Sequence, residues 1–191
     1  MLVLSHAGIT LGAAALLAGT MNNRRSTWKV RLLHPVSSLS RYVDIRFVII
    51  GSLLPDIIDK PVGQYIFRET FASGRIFSHT LIFLVLISAA GFYLYKTRHR
   101  VWLLTLAGGT FVHLILDEMW LVPATLFWPF MGFTFPRIEY EVWLSNMFEG
   151  LISNPAVYVP EAIGLIILLW FGLSLVVRKK LTVFIKYGVT D

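Results

Sequence analysis

Apolar residues gather in five blocks that short polar or basic segments separate. Four blocks approach the ~20 residues that an α-helix needs to cross a bilayer, and they cover residues 2–20, 76–95, 101–120 and 157–177. The remaining block, residues 47–58, is shorter and contains Pro55, which we expect to interrupt its helix just before Asp56. The pattern predicts an all-α fold, a polytopic membrane bundle of about five segments.

Composition supports a membrane protein. The 191 residues are 56% hydrophobic and 15% charged, whereas soluble domains carry about 25% charged residues. We therefore expect residues 1–191 to form a single integral membrane domain. The chain has no cysteine, which excludes disulfides and thiolate metal sites. Any bound metal must be held by imidazole nitrogen and carboxylate oxygen.

The net charge of +6 comes from cations that flank the apolar blocks, in residues 22–46, 96–100 and 178–180. Basic loops of membrane proteins stay in the cytoplasm, so we expect an inner-membrane protein with these loops inside. The linker 60–75 and the loop 121–155 then face the extracytoplasmic side. This placement explains the positive charge without nucleic-acid binding.

The acids and histidines in or beside the apolar blocks gather at the same end of those blocks. Such residues cost a few kcal/mol each at membrane depth and persist mainly where they pair, titrate or bind ions. They are His6, Asp56, Asp59, His79, His113, Asp117 and Glu161. Because five blocks contribute to one layer, the set predicts a site at the extracytoplasmic end, and a metal centre fits its residue types best. His34 and His99 fall at the other end and are excluded.

The spacing of His113 and Asp117 places both side chains on one helix face, where they can share an ion or form a hydrogen bond. Asp56 is a candidate ligand. Asp59 can be a second ligand or the partner of a ligating imidazole.

A second group of residues lies at predicted helix starts. Arg75 precedes Ser78 and His79 and can bind a phosphate or carboxylate bidentately; alternatively it is an interfacial cation, with Ser78 as a helix cap. Glu161 can be a ligand, a general base or a favourable charge at a helix N-terminus. The aromatic loop 120–136 can fold back over the site.

Several motifs in order resemble one known family. They are Ser5-His6, the run from Gly51 to Asp59, Arg75 with Ser78-His79-Thr80, and Gly109 through His113 and Asp117 to Trp128-Pro129. Over residues 1–165 they resemble the membrane-bound metal-dependent hydrolases, which include bacterial inner-membrane proteins and archaeal relatives. That family is remotely related to zinc-dependent phospholipase C and the P1-type nucleases.

The resemblance implies a phospholipase C/P1-nuclease-like helical core that binds two or three divalent ions. Asp56, His79 and His113 would hold one ion, and Asp117 would bridge to a second that His6 also binds. This chain has no histidine after His113, so we expect one or two ions. Zinc is the expected metal, and manganese or iron also suit histidine and aspartate ligands.

The expected function is metal-dependent hydrolysis of a phosphoester, with a membrane lipid as partner and as diester or monoester substrate. Arg75 would bind the phosphate, and Asp59 or Glu161 would accept a proton from water. Two alternatives stay open. A small transporter also carries buried carboxylates and broken helices, and a structural subunit can use a metal to fasten its helices. The sequence does not predict an oligomeric state.

Overall fold

The computed structural model of the chain describes residues 2–21, 43–137 and 140–188. Within them the backbone is helical and contains no strand, so the all-α prediction is confirmed. The helices are α1 Val3–Met21, α2 Ile45–Lys60, α3 Leu81–Arg98, α4 Trp102–Leu116, α5 Pro123–Leu126, α6 Tyr140–Ser153, α7 Pro155–Val177 and α8 Leu181–Tyr187. A π-helical turn, Pro61–Ile66, and two 3-10 turns, Phe77–His79 and Met119–Leu121, complete these elements. Most of the predicted basic segment, residues 22–42 with His34, lies outside the described residues.

Two helices, α3 and α7, are long and apolar enough to cross a membrane. Two of the four predicted spans are thus confirmed as candidates among the residues that the structure describes. The apolar parts of α1, Val3–Leu17, and of α4, Trp102–Leu116, are shorter apolar helices. α4 ends at Leu116 because Glu118 takes a left-handed conformation with a φ of 51°, which a helix cannot continue.

The prediction that Pro55 interrupts its helix was wrong, because α2 runs without a break from Ile45 to Lys60. A proline inside a helix removes the hydrogen bond to the carbonyl four residues earlier, here that of Gly51. The hydroxyl of Thr110 in α4 donates to this carbonyl at 3.2 Å. The neighbouring helix thus satisfies the acceptor that Pro55 leaves open.

The predicted loop 121–155 also contains a helix that was not expected, α6, and it is followed at once by α7. Asn154 separates the two and caps α7, because its side chain accepts a hydrogen bond from the backbone N–H of Ala156 at 3.0 Å. The start of α7 at Pro155 lies within two residues of the predicted start at 157.

Glycines allow two pairs of helices to approach backbone to backbone. In the pair α1 and α7, a Cβ added to Gly8 would overlap the backbone of Gly164. In the pair α2 and α4, a Cβ added to Gly109 would lie 2.6 Å from the backbone nitrogen of Ser52. Small residues at such crossings are typical of helix packing in membranes.

The two ends of the helix bundle differ in the residues that they bury. One end holds the apolar core, a cluster formed by Leu11, Ala15, Ile45, Val48, Phe171 and Leu175. α8 closes this end, since the N–H of Ile45 donates to the carbonyl of Gly188 at 3.2 Å. The other end collects the N-terminal ends of α1, α3 and α7 with the C-terminal ends of α2 and α4, and the predicted site residues lie there.

Candidate metal centre

Five buried side chains from α1, α2, α4 and the Phe77–His79 turn meet at this second end. They form two overlapping triads, His6 with His113 and Asp117, and Asp56 with His79 and His113. In each triad the candidate ligand atoms lie within 4.8 Å of one another. The structure therefore brings together the five residues that the family resemblance implied as metal ligands, with His113 shared by both triads. Asp59 and Glu161, which the sequence also allowed as ligands, are not in the triads.

A buried carboxylate fixes the orientation of His79. Asp59 is fully buried and accepts backbone N–H groups from Ile76 at 2.7 Å and from Ser78 at 3.0 Å. Its Oδ2 also lies 2.7 Å from Nδ1 of His79. A carboxylate on one ring nitrogen holds the imidazole so that the other nitrogen can act as a ligand. Asp59 thus has the contacts of a partner to a ligating imidazole, one of the two roles that the sequence left open.

The ring of His113 is held by the backbone of α2. Its Nδ1 lies 2.7 Å from the carbonyl oxygen of Ser52, to which it must donate because a carbonyl only accepts. This carbonyl is the neighbour of the Gly51 carbonyl that Thr110 satisfies. The helix that carries Pro55 therefore fixes the tautomer of His113 with its proton on Nδ1, which leaves a lone pair on Nε2.

The two oriented imidazoles face each other with their Nε2 atoms 3.2 Å apart. When both Nδ1 atoms donate their protons, the facing nitrogens carry lone pairs that repel unless a proton or a cation lies between them. Two nitrogens bound tetrahedrally to one zinc at ~2.0–2.1 Å are roughly 3.3 Å apart. The observed separation therefore fits two ligands of a common ion.

His6 has no aligned hydrogen bond on either ring nitrogen, although it is fully buried. Its ring stacks on that of His113 with centroids 4.1 Å apart. Its Nε2 lies 3.1 Å from Oδ1 of Asp117, but not in line for a hydrogen bond. A buried polar group without a partner is costly and rare. A bound cation would give this imidazole an aligned partner in addition to its contact with Asp117.

Two carboxylates approach the same histidine nitrogen and also pair with cations. Oδ1 of Asp56 and Oδ2 of Asp117 lie 3.7 Å and 3.8 Å from Nε2 of His79. Lys60 pairs with Asp56 at 2.7 Å, and Arg75 pairs with Asp117 at 2.8 Å. Lys60 was not among the predicted site residues, although its position four residues after Asp56 on one helix could have indicated this pair.

Glu161 lies at the start of α1 and bonds to its backbone. Its carboxylate accepts the N–H groups of Leu2 at 2.7 Å and of Leu4 at 3.2 Å, together with the hydroxyl of Ser5. These contacts match the helix-terminus role among the three that the sequence left open. Because Ser5 directly precedes His6, these bonds fix the part of α1 that carries His6.

A cavity of about 210 Å³ opens beside the centre. Its walls include Asp56, Lys60, Gln64, Ser73, Arg75 and Asp117, and the loop 120–136 contributes Val122, Thr125 and Pro136. Part of the predicted aromatic loop therefore borders this cavity. Gln64 and Thr125 were missed, because a glutamine in a linker and a threonine in an aromatic loop carry no local signal of a site.

Comparison with known proteins places the chain in a membrane family. The sequence profile of the YdjM inner membrane protein family matches residues 1–182. No match was found among curated proteins or among solved structures. The family description agrees with the apolar helices and with a location in the inner membrane. Because the match covers nearly the whole sequence, this chain belongs to the YdjM inner membrane protein family.

Proposed function

We propose that this protein is a membrane-embedded, metal-dependent hydrolase that acts on a phosphoester. The observation that carries the proposal is the pair of facing imidazole nitrogens of His79 and His113, 3.2 Å apart, with both Nδ1 atoms engaged elsewhere. The buried ring of His6 stacks on His113, and neither of its nitrogens has an aligned hydrogen bond. A cation between the facing nitrogens would relieve the repulsion of their lone pairs.

The two triads share His113, and the single lone pair on its Nε2 can bind only one ion. A second ion would have to be held by the remaining ligands, His6 and Asp117 or Asp56 and His79. Zinc fits the imidazole-rich set best, and manganese or iron would also accept these nitrogen and oxygen ligands. Phosphoester hydrolysis by two ions requires them to lie about 4 Å apart.

The cavity favours catalysis over a purely structural metal. Structural zinc sites fill all four positions with protein ligands, whereas catalytic sites keep one position open to water or substrate. Here Asp56 and Asp117 belong to the triads and also line the cavity. A ligand in the cavity would therefore reach the same carboxylates that approach the ion.

In the proposed reaction, water attacks phosphorus, the ester P–O bond breaks, and the alcohol leaves with a proton while phosphate retains the new oxygen. Divalent ions in such sites acidify water and polarise phosphoryl oxygens. Arg75, on the cavity wall, would bind the phosphate. Asp59 and Glu161, which the sequence suggested as proton acceptors, are both occupied by N–H groups of the backbone.

We place this reaction on the extracytoplasmic side of the inner membrane. The end of the bundle opposite the centre carries Lys96, Arg98, Arg100, Arg178, Lys179, Lys180 and Lys186. Cytoplasmic loops are enriched in lysine and arginine. The charge asymmetry of the bundle thus supports a centre that faces away from the cytoplasm.

Elemental analysis of the detergent-solubilised protein tests the metal. We expect one or two equivalents of a transition metal in the parent protein and none in the double variant His113→Ala, Asp117→Ala. His99→Asn is the matched control, since His99 lies at the other end and its left-handed φ of 52° suits asparagine. If the parent bound no metal even after addition of zinc or manganese, the proposed hydrolase function would be contradicted. A transporter or a structural subunit would then be favoured.

His6→Leu separates metal binding from folding. The unfolding temperature of the metal-free variant should fall little, because the ring has no aligned hydrogen bond to lose and Asp117 stays paired with Arg75 when its contact with His6 is removed. The metal-loaded parent should be more stable than the variant, because a ligand that binds only the folded state stabilises it. An equal loss of stability with and without metal would make His6 a packing residue and contradict its role as a ligand.

A further inference from the structure

We propose that two segments beside the metal centre, residues 65–77 and 119–136, form a cap that lies in the interface of the lipid bilayer and faces lipid instead of water. Both segments lie at the end of the bundle that holds the centre. The surface of the cap depends neither on a bound metal nor on a reaction. For the proposed hydrolase, it would bring the centre to the level of a lipid substrate.

Aromatic rings join the two segments of the cap into one unit. Phe71 lies edge-on to Phe77 and to Phe135, with ring centroids 5.5 Å and 5.9 Å apart. Phe77 also lies edge-on to Trp128 at 5.3 Å. Arg137, directly after the cap, donates hydrogen bonds to backbone carbonyls of the first segment. Edge-on pairs of this kind stabilise packing beyond the burial of their area, so the interior of the cap is filled by its own aromatic side chains.

The outer surface of the cap is apolar as well. Residues 119–136 contain no aspartate, glutamate, lysine, arginine or histidine. Eight large apolar or aromatic side chains of the cap are more than half exposed, namely Tyr65, Ile66, Phe67, Trp120, Leu121, Phe130, Met131 and Phe133. Large contiguous apolar patches are rare on surfaces that face water and mark contact with a membrane or a protein. This surface therefore needs an apolar or interfacial neighbour.

The backbone of the cap satisfies many of its own hydrogen bonds, which allows it to leave bulk water. Nine N–H groups between residues 121 and 132 donate to carbonyls of residues 118–129. Pro123 and Pro129, in the same stretch, have no N–H to satisfy. Irregular backbone that faces lipid does not occur within the hydrocarbon core. We therefore place the cap at the depth of the head groups, where aromatic residues are enriched.

The apolar surface of the cap continues onto a helix that is long enough to cross the membrane. Phe77 of the cap is followed, at helical spacing, by Leu81 and Val85 of α3. These three side chains are 39%, 40% and 57% exposed, and the three polar residues between Phe77 and Leu81 are buried. No exposed polar side chain thus separates the cap from α3 along this stretch. Because α3 is a candidate membrane span, the lipid that covers this face of α3 also reaches the cap.

The depth of the cap sets the depth of the cavity beside the centre. Val122 and Pro136 of the cap line this cavity together with Arg75 and Asp117. Interfacial aromatic residues lie at the level of the lipid head groups. A head group would therefore reach the cavity from within the leaflet, while its acyl chains stay in the bilayer.

Nitroxide labels on single introduced cysteines measure the depth of the cap. The chain has no cysteine of its own, so each variant carries one label. Phe130→Cys and Phe133→Cys report on the cap. Leu86→Cys, on the exposed surface of α3, is the lipid reference, and Arg100→Cys, in an exposed turn at the other end, is the water reference. Each full-length variant is reconstituted in vesicles of phosphatidylethanolamine and phosphatidylglycerol, and its collision rates with oxygen and with a water-soluble nickel chelate are measured.

We expect both cap labels to fall between the two references. The collision rate with nickel should be about threefold lower than at Arg100→Cys, and the collision rate with oxygen should be higher, because oxygen concentrates in lipid and the nickel chelate does not enter it. The unfolding temperature of each cap variant should match that of the parent, since both positions are exposed.

Two results would overturn the proposal. Nickel collision rates as high as at Arg100→Cys would place the cap in water. Low collision rates with both reagents would mean that a second copy of the chain covers the cap. Failure of the hydrolase is a separate outcome, because the measurement requires neither metal nor turnover. A protein that binds no metal, but whose cap labels collide with oxygen and not with nickel, would keep the lipid-facing cap and lose the reaction.

Discussion

The two ends of the bundle are buried equally well but are stabilised by different interactions. Leu11 and Ile45 of the apolar core are fully buried, and so are His6, Asp59 and His113 of the metal centre. The apolar core gains from close packing, which is what associates helices in lipid. The centre depends on directed hydrogen bonds and charge pairs, each of which fails when one partner is removed.

The difference predicts unequal tolerance to substitution. Apolar interiors accept changes that conserve volume at a cost below about 1.5 kcal/mol. Removal of one partner from a buried charged pair costs about 3–5 kcal/mol, because the other charge is left uncompensated. Four substitutions test this contrast, and they follow in order of expected effect.

The largest effect should come from Gly109→Ala, which acts on both ends. The new Cβ would lie 2.6 Å from the nitrogen of Ser52 and 2.7 Å from the carbonyl carbon of Gly51, and backbone cannot move aside as a side chain can. We expect a loss of about 3 kcal/mol in the free energy of unfolding, together with loss of metal. Denaturant unfolding in detergent and elemental analysis measure both.

Gly108→Ala is the control for this substitution. A Cβ on Gly108 meets nothing within 4 Å, so the variant should gain up to about 1 kcal/mol from its higher helix propensity. Equal stability of the two alanine variants would contradict the role of the α2–α4 crossing.

Asp59→Asn should affect the centre more than the apolar core. An amide offers one acceptor oxygen, and its NH₂ group would face the N–H donors that the carboxylate now accepts. We expect a loss of about 2–3 kcal/mol and a metal affinity reduced 10–100-fold. Asp44→Asn, at the other end of α2, is the matched control because asparagine caps helices as well as aspartate does. Parent-like zinc affinity in Asp59→Asn would remove Asp59 from the centre.

Leu11→Ala should destabilise the apolar core alone. Deletion of a fully buried leucine side chain leaves a cavity and costs about 2 kcal/mol, at the low end of the 2–5 kcal/mol measured in soluble cores, since lipid is as apolar as the core. Metal content should stay at the parental value. Leu11→Met conserves volume and should cost less than 1.5 kcal/mol. Loss of metal in Leu11→Ala would show that the two ends are coupled along α1.

The smallest effect should come from Glu161→Gln. The substitution removes the charge that favours the N-terminus of α1 but keeps an acceptor oxygen, so we expect a loss of about 1 kcal/mol. Metal content should be retained, as measured by elemental analysis. If activity instead fell more than a hundredfold while stability and metal were unchanged, Glu161 would be the proton acceptor that the sequence suggested.

The sequence predicted the parts of the fold that depend on local pattern. Apolar blocks located α3, α4 and α7, and the shared end of the polar residues anticipated which helix ends meet. The continuity of α2 was not predictable in this way. It depends on Thr110, which is 59 positions from Gly51 in sequence and meets its carbonyl only after the helices pack.

Residue type identified the candidate ligands more easily than the groups that orient them. Histidines and aspartates inside apolar blocks are rare enough to be noticed one by one. The carbonyl of Ser52, which orients His113, has no side-chain signal at all.

The contact between Glu161 and the start of α1 has a consequence for biosynthesis. Glu161 bonds to the N–H of Ser5, although the two residues are 156 positions apart. Synthesis proceeds from the N-terminus, so α1, α2 and α4 leave the ribosome before Glu161 is made. The first turn of α1, which carries His6, is therefore anchored only when α7 joins the bundle. The order of synthesis thus postpones a complete centre until the last long helix has been inserted.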